Sequence, residues 1–161
     1  MGAPSKAERV LAWLEAGIST EAGQAFVTDD VVFAGPPSSQ SASSALRWNG
    51  RDSLRRVTIA DRALYKNFGA PGSRIDHFIV EEADQVLLQF EVRYTTWTGA
   101  AYRNDYVMAV RFAGDKIASA AVLMDTAHFQ QVLYPTPEAR AGVAQRIADG
   151  RREAGAPLDV F

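Results

Sequence analysis

One aspartate, Asp125, stands where a predicted strand gives way to a predicted helix. Two-residue periodicity puts it on the same strand face as Ile117, Ala121 and Leu123, so its carboxyl is expected to point into an apolar pocket. Loss of hydration there would raise its pKa and allow it to move a proton to or from a carbon acid. Asp125 also fits the N-cap of a helix that begins at Thr126, where amide donors would lower its pKa. The two interpretations predict opposite shifts, and both stay open.

Further polar candidates lie on the strand predicted over residues 102–112 and on the helix after Asp125. Asn104 and Tyr106 share a strand face and could donate hydrogen bonds to a water molecule or to an oxygen that becomes negative during a reaction. His128 follows Asp125 by three residues, which brings the two side chains together on a helix. Side chains of this kind also fit core packing or, for the histidine, a neutral surface position. The residues predicted to surround a substrate are Trp13, Phe33, Trp48, Phe90, Tyr102, Met108 and His128.

Glu91 and Arg93 raise the question of which face of the strand over residues 86–97 lines the interior. The even-numbered face is the more apolar one, so we predict that it is buried. Glu91 and Arg93 would then face solvent or a partner subunit and form cross-strand ion pairs. In the reverse register, Glu91 would be a catalytic carboxylate.

Composition argues against several classes of function. The chain has no cysteine, which excludes disulfides and thiolate nucleophiles, and its two histidines, His77 and His128, lack the spacing of a metal motif. We therefore predict neither a metal nor a cofactor. A net charge of −2 and a pI near 5.7 argue against nucleic-acid binding. No stretch approaches the roughly 18 apolar residues of a membrane span, so we expect a soluble, cytoplasmic protein without membrane contact.

The element order predicts an α+β domain. Helices are expected over residues 6–16, where Ser5 and Glu8 form a capping box, in a short segment toward residue 26, and from residue 54 to about residue 65. An edge strand is predicted over residues 31–33 and longer strands over residues 75–82, 86–97, 102–112 and 117–125, followed by a helix over residues 126–133. The Pro- and Ser-rich segment over residues 36–44 is either a mobile surface loop or a lid over the active site.

We divide the chain into a domain over residues 1–134 and a helical tail over residues 135–161. The tail has a thin apolar face, which indicates weak packing, contact with a partner subunit or fraying.

The order of these elements, with Phe-Ala-Gly-Asp-Lys-Ile at residues 112–117 and Leu-Met-Asp at residues 123–125, resembles the nuclear transport factor 2-like fold. Within that fold the chain is most similar to SnoaL-like polyketide cyclases, with ketosteroid isomerases and limonene epoxide hydrolases as neighbours. The resemblance implies a curved antiparallel sheet wrapped around N-terminal helices, a cone-shaped α+β barrel of cystatin-like type. It also implies a cofactor-independent enzyme for an apolar oxygenated small molecule, such as a polyketide or terpenoid intermediate, and a homodimer through the outer sheet face.

This chain has only some of the catalytic residues of these families. Ketosteroid isomerases carry two aspartates at positions that match Gly35 and Met108, so both carboxylates are missing here. The Arg-x-Asp motif of limonene epoxide hydrolases falls at residues 89–91, where Glu91 replaces the aspartate and the arginine is absent. The acid/base carboxylate of SnoaL-like cyclases matches Asp125 or Asp105.

Three functions stay open on these grounds. The first is acid/base chemistry of the cyclase, isomerase or dehydratase type, in which Asp125 transfers the proton while Asn104 and Tyr106 stabilise an oxyanion or orient water. The second is a non-catalytic module for small-ligand binding or dimerisation. The third is a limonene-type epoxide hydrolase that uses Glu91.

Overall fold

The computed structural model describes residues 2–36 and 47–155. The predicted loop over residues 36–44 lies outside them apart from Pro36, so its role as a lid stays a prediction. In the described residues the helices are α1 (Lys6–Ala16), α2 (Glu21–Gln24), α3 (Leu54–Leu64), α4 (Thr126–Leu133) and α5 (Pro137–Glu153), with a 3₁₀ turn at Arg51–Ser53 before α3. None of these helices is both long and apolar enough to cross a membrane.

The strands form one curved sheet that carries the helices, which confirms the predicted α+β class. They are β1 (Val27–Ala34), β2 (Arg47–Asn49), β3 (Arg74–Glu82), β4 (Gln85–Thr95), β5 (Ala101–Ala113) and β6 (Lys116–Met124). Their order across the sheet is β2-β1-β6-β5-β4-β3, and all neighbours are antiparallel except β1 and β6. The long meander from β3 to β6 follows the sequence order, as the alternating pattern predicts.

α1 begins and ends where its capping residues predict. The Ser5 hydroxyl accepts from the Glu8 N–H at 3.1 Å, and the Glu8 carboxylate accepts from the Ser5 N–H at 2.7 Å, which completes the capping box. Gly17 ends the helix with a φ of 86°, a conformation that favours glycine. The buried Val10 and Trp13 lie on the face that packs against β3 and β4.

The even-numbered side chains of β4 form the inner face of the sheet. Val86, Leu88, Phe90 and Val92 are all buried, which confirms the predicted orientation of this strand. The outer face carries Leu87, which is 39% exposed, and the charged side chains of Glu91 and Arg93.

β1 corrects the prediction of a short edge strand. It is eight residues long and lies between β2 and β6. The edge position belongs to β2, where Trp48 pairs with Phe33 and packs against its ring at a centroid distance of 5.8 Å. A strand of three residues with one apolar side chain has too little alternation to be recognised in the sequence.

β6 corrects the predicted surroundings of Asp125. Arg111 pairs with Ser119 whereas Phe112 pairs with Ile117, so Ala118 is an extra residue in a β-bulge. A bulge moves the side chains beyond it to the opposite face. Ile117 is therefore buried while Leu123 is 56% exposed, and the expected apolar face shared by Ile117, Ala121, Leu123 and Asp125 does not form.

α5 packs against α3, which corrects the expectation of weak packing. Its buried face consists of Val143, Ile147 and Arg151. At Gly142 the helix approaches the ring of Trp97 so closely that a Cβ atom would lie 2.8 Å from it. The absence of a side chain allows this contact, and a hydrophobicity pattern cannot show it. The division of the chain at residue 134 stays a prediction.

Candidate active site

Four tyrosine side chains meet between the end of α3 and the inner face of β4 and β5. We call Tyr65, Tyr94, Tyr102 and Tyr106 the phenol cluster. The ring of Tyr65 lies 4.3 Å from that of Tyr94 and 5.4 Å from that of Tyr102, measured between centroids. The hydroxyl oxygens of Tyr102 and Tyr106 are 3.1 Å apart, within hydrogen-bond distance. The cluster thus combines stacked aromatic rings with a linked pair of hydroxyl groups.

Backbone pairing holds the cluster together. Tyr94 lies directly opposite Tyr102 in the β4–β5 register, which brings their side chains to one face. The residue after α3, Tyr65, forms an isolated bridge with Thr96 just beyond β4. Two further hydrogen bonds fix this junction: the Lys66 N–H donates to the Thr95 carbonyl at 2.8 Å, and the Trp97 N–H donates to that of Leu64 at 2.9 Å. The end of the helix is therefore fixed above the sheet.

Burial raises the pKa of each hydroxyl in the phenol cluster above its ordinary value near 10. For Tyr65 and Tyr106, the neighbouring phenols and the charge of Asp61 add to this increase in pKa. For Tyr102, the hydrogen bonds that its hydroxyl shares with Tyr106 and Asn104 oppose this increase without reversing the direction of the pKa shift. All four phenols therefore stay protonated at neutral pH and can donate hydrogen bonds.

The negative charge of Asp61 contributes to the raised pKa of three phenols in this cluster, those of Tyr65, Tyr94 and Tyr106. The sequence-based candidates did not include Asp61. Burial raises its pKa from 3.8 to about 7, although solvent still reaches part of the residue. Among residues 2–36 and 47–155, no ion pair or hydrogen bond involves its carboxyl group. Its charge raises the pKa of Tyr94, after the larger effect of burial. A buried acid without a counter-charge beside a group of donors is typical of a catalytic site.

The sequence did contain a signal for Asp61. The apolar stripe of α3 runs through Leu54, Val57 and Leu64, and position 61 belongs to the same stripe at helical spacing. An acidic residue on a stripe that packs against a sheet must lose hydration when the chain folds. An acid among core-facing helical positions is thus a stronger indication of a site than an acid at the end of a strand.

Asn104 connects the phenol cluster to the start of α4. Its side-chain Nδ2 donates to the Tyr102 hydroxyl oxygen at 2.8 Å and to the Asp125 backbone carbonyl oxygen at 2.9 Å. Asn104 is 6% exposed, so these hydrogen bonds are shielded from water. Asn104 and Tyr106 lie on the same strand face, as predicted, and both form hydrogen bonds with Tyr102.

Asp125 is the N-cap of α4, as one of the two interpretations predicts. Its Oδ1 accepts from the His128 N–H at 2.9 Å, and the residue is exposed. The imidazole of His128 then stacks on the Tyr102 ring at 5.7 Å and an interplanar angle of 11°. A role of Asp125 in proton transfer stays a prediction.

A profile of the SnoaL-like domain matches residues 7–120. The chain belongs to the SnoaL-like domain family. Among curated proteins, no significant match is found.

Solved structures show the same fold at low identity. A nuclear transport factor 2-like protein of unknown function from Burkholderia pseudomallei is 15% identical with a TM-score of 0.71, covering 81% of this chain and 99% of its own. TerC, co-crystallised with polyporic acid, is 17% identical with a TM-score of 0.66, covering 79% and 96%. A protein assigned as a SnoaL-like polyketide cyclase from a Jannaschia species is 13% identical with a TM-score of 0.59, covering 85% and 100%. These similarities establish the fold, which is shared by many activities.

The other side chains predicted to line the substrate site divide into two groups in this SnoaL-like domain. Phe90 stacks on Tyr106 at 5.4 Å, so Phe90 adjoins the phenol cluster together with Tyr102 and His128. The remaining predicted residues lie in the wider core of the domain, where their contact with a ligand stays a prediction; they are Trp13, Phe33, Trp48 and Met108.

Glu91 lies on the outer face of the SnoaL-like sheet, which corrects its placement with the other catalytic candidates. Its carboxylate binds both Arg93 and Arg103, and only 4% of the Glu91 side chain is exposed because these two guanidinium groups cover it. The hydrogen bond from Arg93 lowers the pKa of Glu91, and that from Arg103 does the same, against the opposing effect of lost hydration. The sheet separates Glu91 from Asn104 and Tyr106. The carboxylate that the epoxide hydrolase hypothesis requires therefore lies on the opposite face from these two residues.

One further group on the outer face has the residue types of a cation site. Ligand atoms of His77, Glu91 and Asp105 lie within 4.8 Å of one another. Both carboxylate oxygens of Glu91 already accept from the guanidinium groups of Arg93 and Arg103. A cation would have to displace two fixed positive charges, so these residues do not fit a metal site.

Proposed function

We propose that this SnoaL-like protein is a cofactor-independent enzyme that moves a proton on a carbon acid, in chemistry of the cyclase, isomerase or dehydratase type. Asp61 is the proton-transfer group, and the phenol cluster supplies hydrogen-bond donors to the substrate oxygen. The observation that carries the proposal is the carboxyl of Asp61, whose pKa burial raises to about 7 beside four phenols that stay protonated.

A carboxyl with a pKa near neutrality is well matched to such a reaction. Both of its protonation states are populated around pH 7, so it can accept a proton and return it. Ionised Asp61 takes the proton from a carbon next to a carbonyl group, and the electron pair of that C–H bond forms an enolate. A phenol donates a hydrogen bond to the enolate oxygen, which stabilises the developing charge. Return of the proton to another carbon gives isomerisation, attack on a second carbonyl gives ring closure, and loss of a β-hydroxyl group gives dehydration.

The surroundings of the cluster support an apolar, oxygenated substrate such as a polyketide or terpenoid intermediate. Phe68 packs against Tyr94 and Phe90 against Tyr106, so aromatic rings flank the hydroxyl groups. Rings offer large apolar contact area to a planar ligand, and the hydroxyl groups fix the position of its oxygens. The complex of the structural neighbour TerC with polyporic acid makes this aromatic, polyoxygenated compound a useful first ligand to test.

Proton exchange on a simple ketone tests the proposal without knowledge of the native substrate. The probe is 2-tetralone, an apolar ring ketone with exchangeable hydrogens next to its carbonyl group. In deuterated buffer, the protein should accelerate loss of the corresponding ¹H NMR signals, with a rate that rises with pH around 7 as Asp61 ionises. Asp61→Asn should remove the acceleration, whereas Asp115→Asn, an equal change in an exposed turn, should retain it.

A parallel measurement separates Asp61 from Asp125. If Asp125→Asn removes the exchange while Asp61→Asn leaves it unchanged, the proton-transfer role belongs to Asp125 and our assignment is wrong.

A non-catalytic binding module is the second candidate, and one observation favours it. The side chain of Asp125, one of the two positions that the resemblance matches to the family's acid, caps α4. Under this alternative, isothermal titration calorimetry would give equal affinities of polyporic acid for the natural protein and for Asp61→Asn. The protein would then not accelerate the exchange of hydrogens on 2-tetralone.

We also propose that two copies associate through the outer sheet face. Phe78, Val80, Leu87 and Leu123 are 45%, 50%, 39% and 56% exposed and lie on that face, an uncovered apolar surface typical of an interface. A twofold arrangement would bring each patch against its own copy. Light scattering after size exclusion should give a dimer mass that Leu123→Glu reduces to a monomer, while Gln145→Glu on α5 has no effect.

A further inference from the structure

The amide group of Asn104 has a fixed orientation. The Asp125 backbone carbonyl, 2.9 Å away, can only accept a hydrogen bond, so the atom that faces it must be Nδ2. The same Nδ2 lies 2.8 Å from the hydroxyl oxygen of Tyr102. An amide nitrogen carries two hydrogens, and both are therefore used inside the protein. Asn104 has no donor left for a ligand.

This orientation determines the direction of the hydrogen bond between Tyr102 and Tyr106. Because the Tyr102 oxygen receives the amide hydrogen, its own hydrogen must point to another acceptor. In the described part of the chain, two acceptors lie at hydrogen-bond geometry from it, the Tyr106 oxygen at 3.1 Å and the Met124 sulfur at 3.9 Å. The Tyr65 hydroxyl adjoins the hydroxyls of Tyr102 and Tyr106 but forms no hydrogen bond of this geometry with them. Oxygen is the stronger acceptor and also the closer one. Tyr102 therefore donates to Tyr106.

The hydroxyl hydrogen of Tyr106 is then the end of a directed chain. Tyr102 is 1% exposed, whereas Tyr106 keeps partial access to solvent, so a ligand reaches Tyr106 first. Each donor in such a chain polarises the next and strengthens the last one. We propose that Asn104 is a positioning residue that orients this chain, and that Tyr106 is the residue that donates to a ketone, enolate or phenolate oxygen of the ligand. The proposal rests on the proposed function, because it assigns the oxygen-binding half of that site.

The test uses 4-nitrophenol as the probe, since its ionised form resembles an enolate oxygen and absorbs visible light. All proteins carry Asp61→Asn, which removes the competing negative charge. Proton transfer is thereby eliminated from the measurement, so failure of this inference and failure of the Asp61 assignment give different results. The readouts are the dissociation constant of the phenolate and the shift of its absorption maximum on binding.

Tyr106→Phe should weaken phenolate binding by about tenfold or more. Asn104→Leu should weaken it several-fold and reduce the spectral shift, although every phenol is still present. Asn104→Asp keeps the shape of the side chain; when ionised it accepts from Tyr102, reverses the chain and should also weaken binding. Gln89→Leu removes an amide from the outer face of β4 and should change neither readout.

A double-mutant cycle with Tyr102→Phe decides whether Asn104 acts through the chain. If it does, adding Asn104→Leu to Tyr102→Phe causes no further loss of affinity. An equal loss in both backgrounds would mean that Asn104 contacts the ligand directly, and no loss in either would mean that it plays no part; both results overturn the proposal. Thermal melting followed by circular dichroism identifies any variant that fails to fold, and Asn104→Asp then serves in place of Asn104→Leu.

Discussion

Replacement of Asp61 by asparagine should make the protein more stable at neutral pH. The asparagine side chain has nearly the same shape as a protonated aspartate but cannot ionise. In the folded state burial raises the pKa of Asp61 to about 7, whereas in the unfolded chain it has its ordinary value of 3.8. Well below pH 3.8 the carboxyl is protonated in both states and has no effect on stability. As the pH rises toward 7 the unfolded state releases the proton first, so the free energy of unfolding falls.

The size of this effect follows from the difference in pKa. About three pKa units correspond to roughly 4 kcal/mol, as an upper limit reached above pH 7. Because solvent reaches part of Asp61, we reduce this figure to about 2 kcal/mol. Asp61→Asn should therefore be about as stable as the natural protein at pH 4 and about 2 kcal/mol more stable at pH 8.

Urea denaturation followed by tryptophan fluorescence at several pH values measures the difference. Every other titrating group is common to the two proteins, so only Asp61 contributes to the pH dependence of the difference. Asp115→Asn provides the control, because it makes the same change in a side chain that is 84% exposed. A difference for Asp61→Asn that stays constant between pH 4 and pH 8 would refute the raised pKa, and with it the main support for Asp61 as the proton-transfer group.

Three further substitutions test other parts of the structure. Asp125→Ala removes the cap of α4 and should lower the free energy of unfolding by about 1 kcal/mol in urea denaturation. The hydrogen bond from Arg93 is the largest cause of the lowered pKa of Glu91, so the carboxylate stabilises the fold above about pH 4.5 and this contribution is lost as the pH falls through its folded pKa. Glu91→Gln should therefore be less stable than the natural protein at pH 7, and the difference in urea denaturation should shrink as the pH is lowered below 4.5. Gly23→Ala would put a Cβ atom 2.0 Å from the Gly17 carbonyl oxygen, so its melting temperature should fall despite the higher helix propensity of alanine.

Local sequence signals predicted the elements with strong capping or alternation. The capping box at Ser5 and Glu8 identified α1 to the residue, and the parity of β4 identified its buried face. Prediction failed at Ala118, because a bulge inserts one residue without a clear sequence signal and reverses the faces beyond it. The orientation expected for Asp125 was wrong for that reason. The phenol cluster was found in part, since Tyr102 and Tyr106 follow from strand parity, whereas the contribution of Tyr65 depends on how α3 meets β4.

Under the proposed function, a helix rather than a strand supplies the acid. Backbone hydrogen bonds of α3 satisfy the main chain around Asp61, including the one from the Tyr65 N–H to the Asp61 carbonyl at 2.9 Å. The carboxyl group is therefore the polar part of Asp61 that loses hydration, and its charge adds to the rise that burial causes in the pKa of Tyr65. The bridge from Tyr65 to Thr96 holds the end of α3 against the sheet, and the charge of Asp61 adds to the rise in the pKa of Tyr106 on β5. Under the proposed function, Tyr106 holds the substrate oxygen while Asp61 exchanges the proton on the neighbouring carbon, so both groups must reach the same substrate.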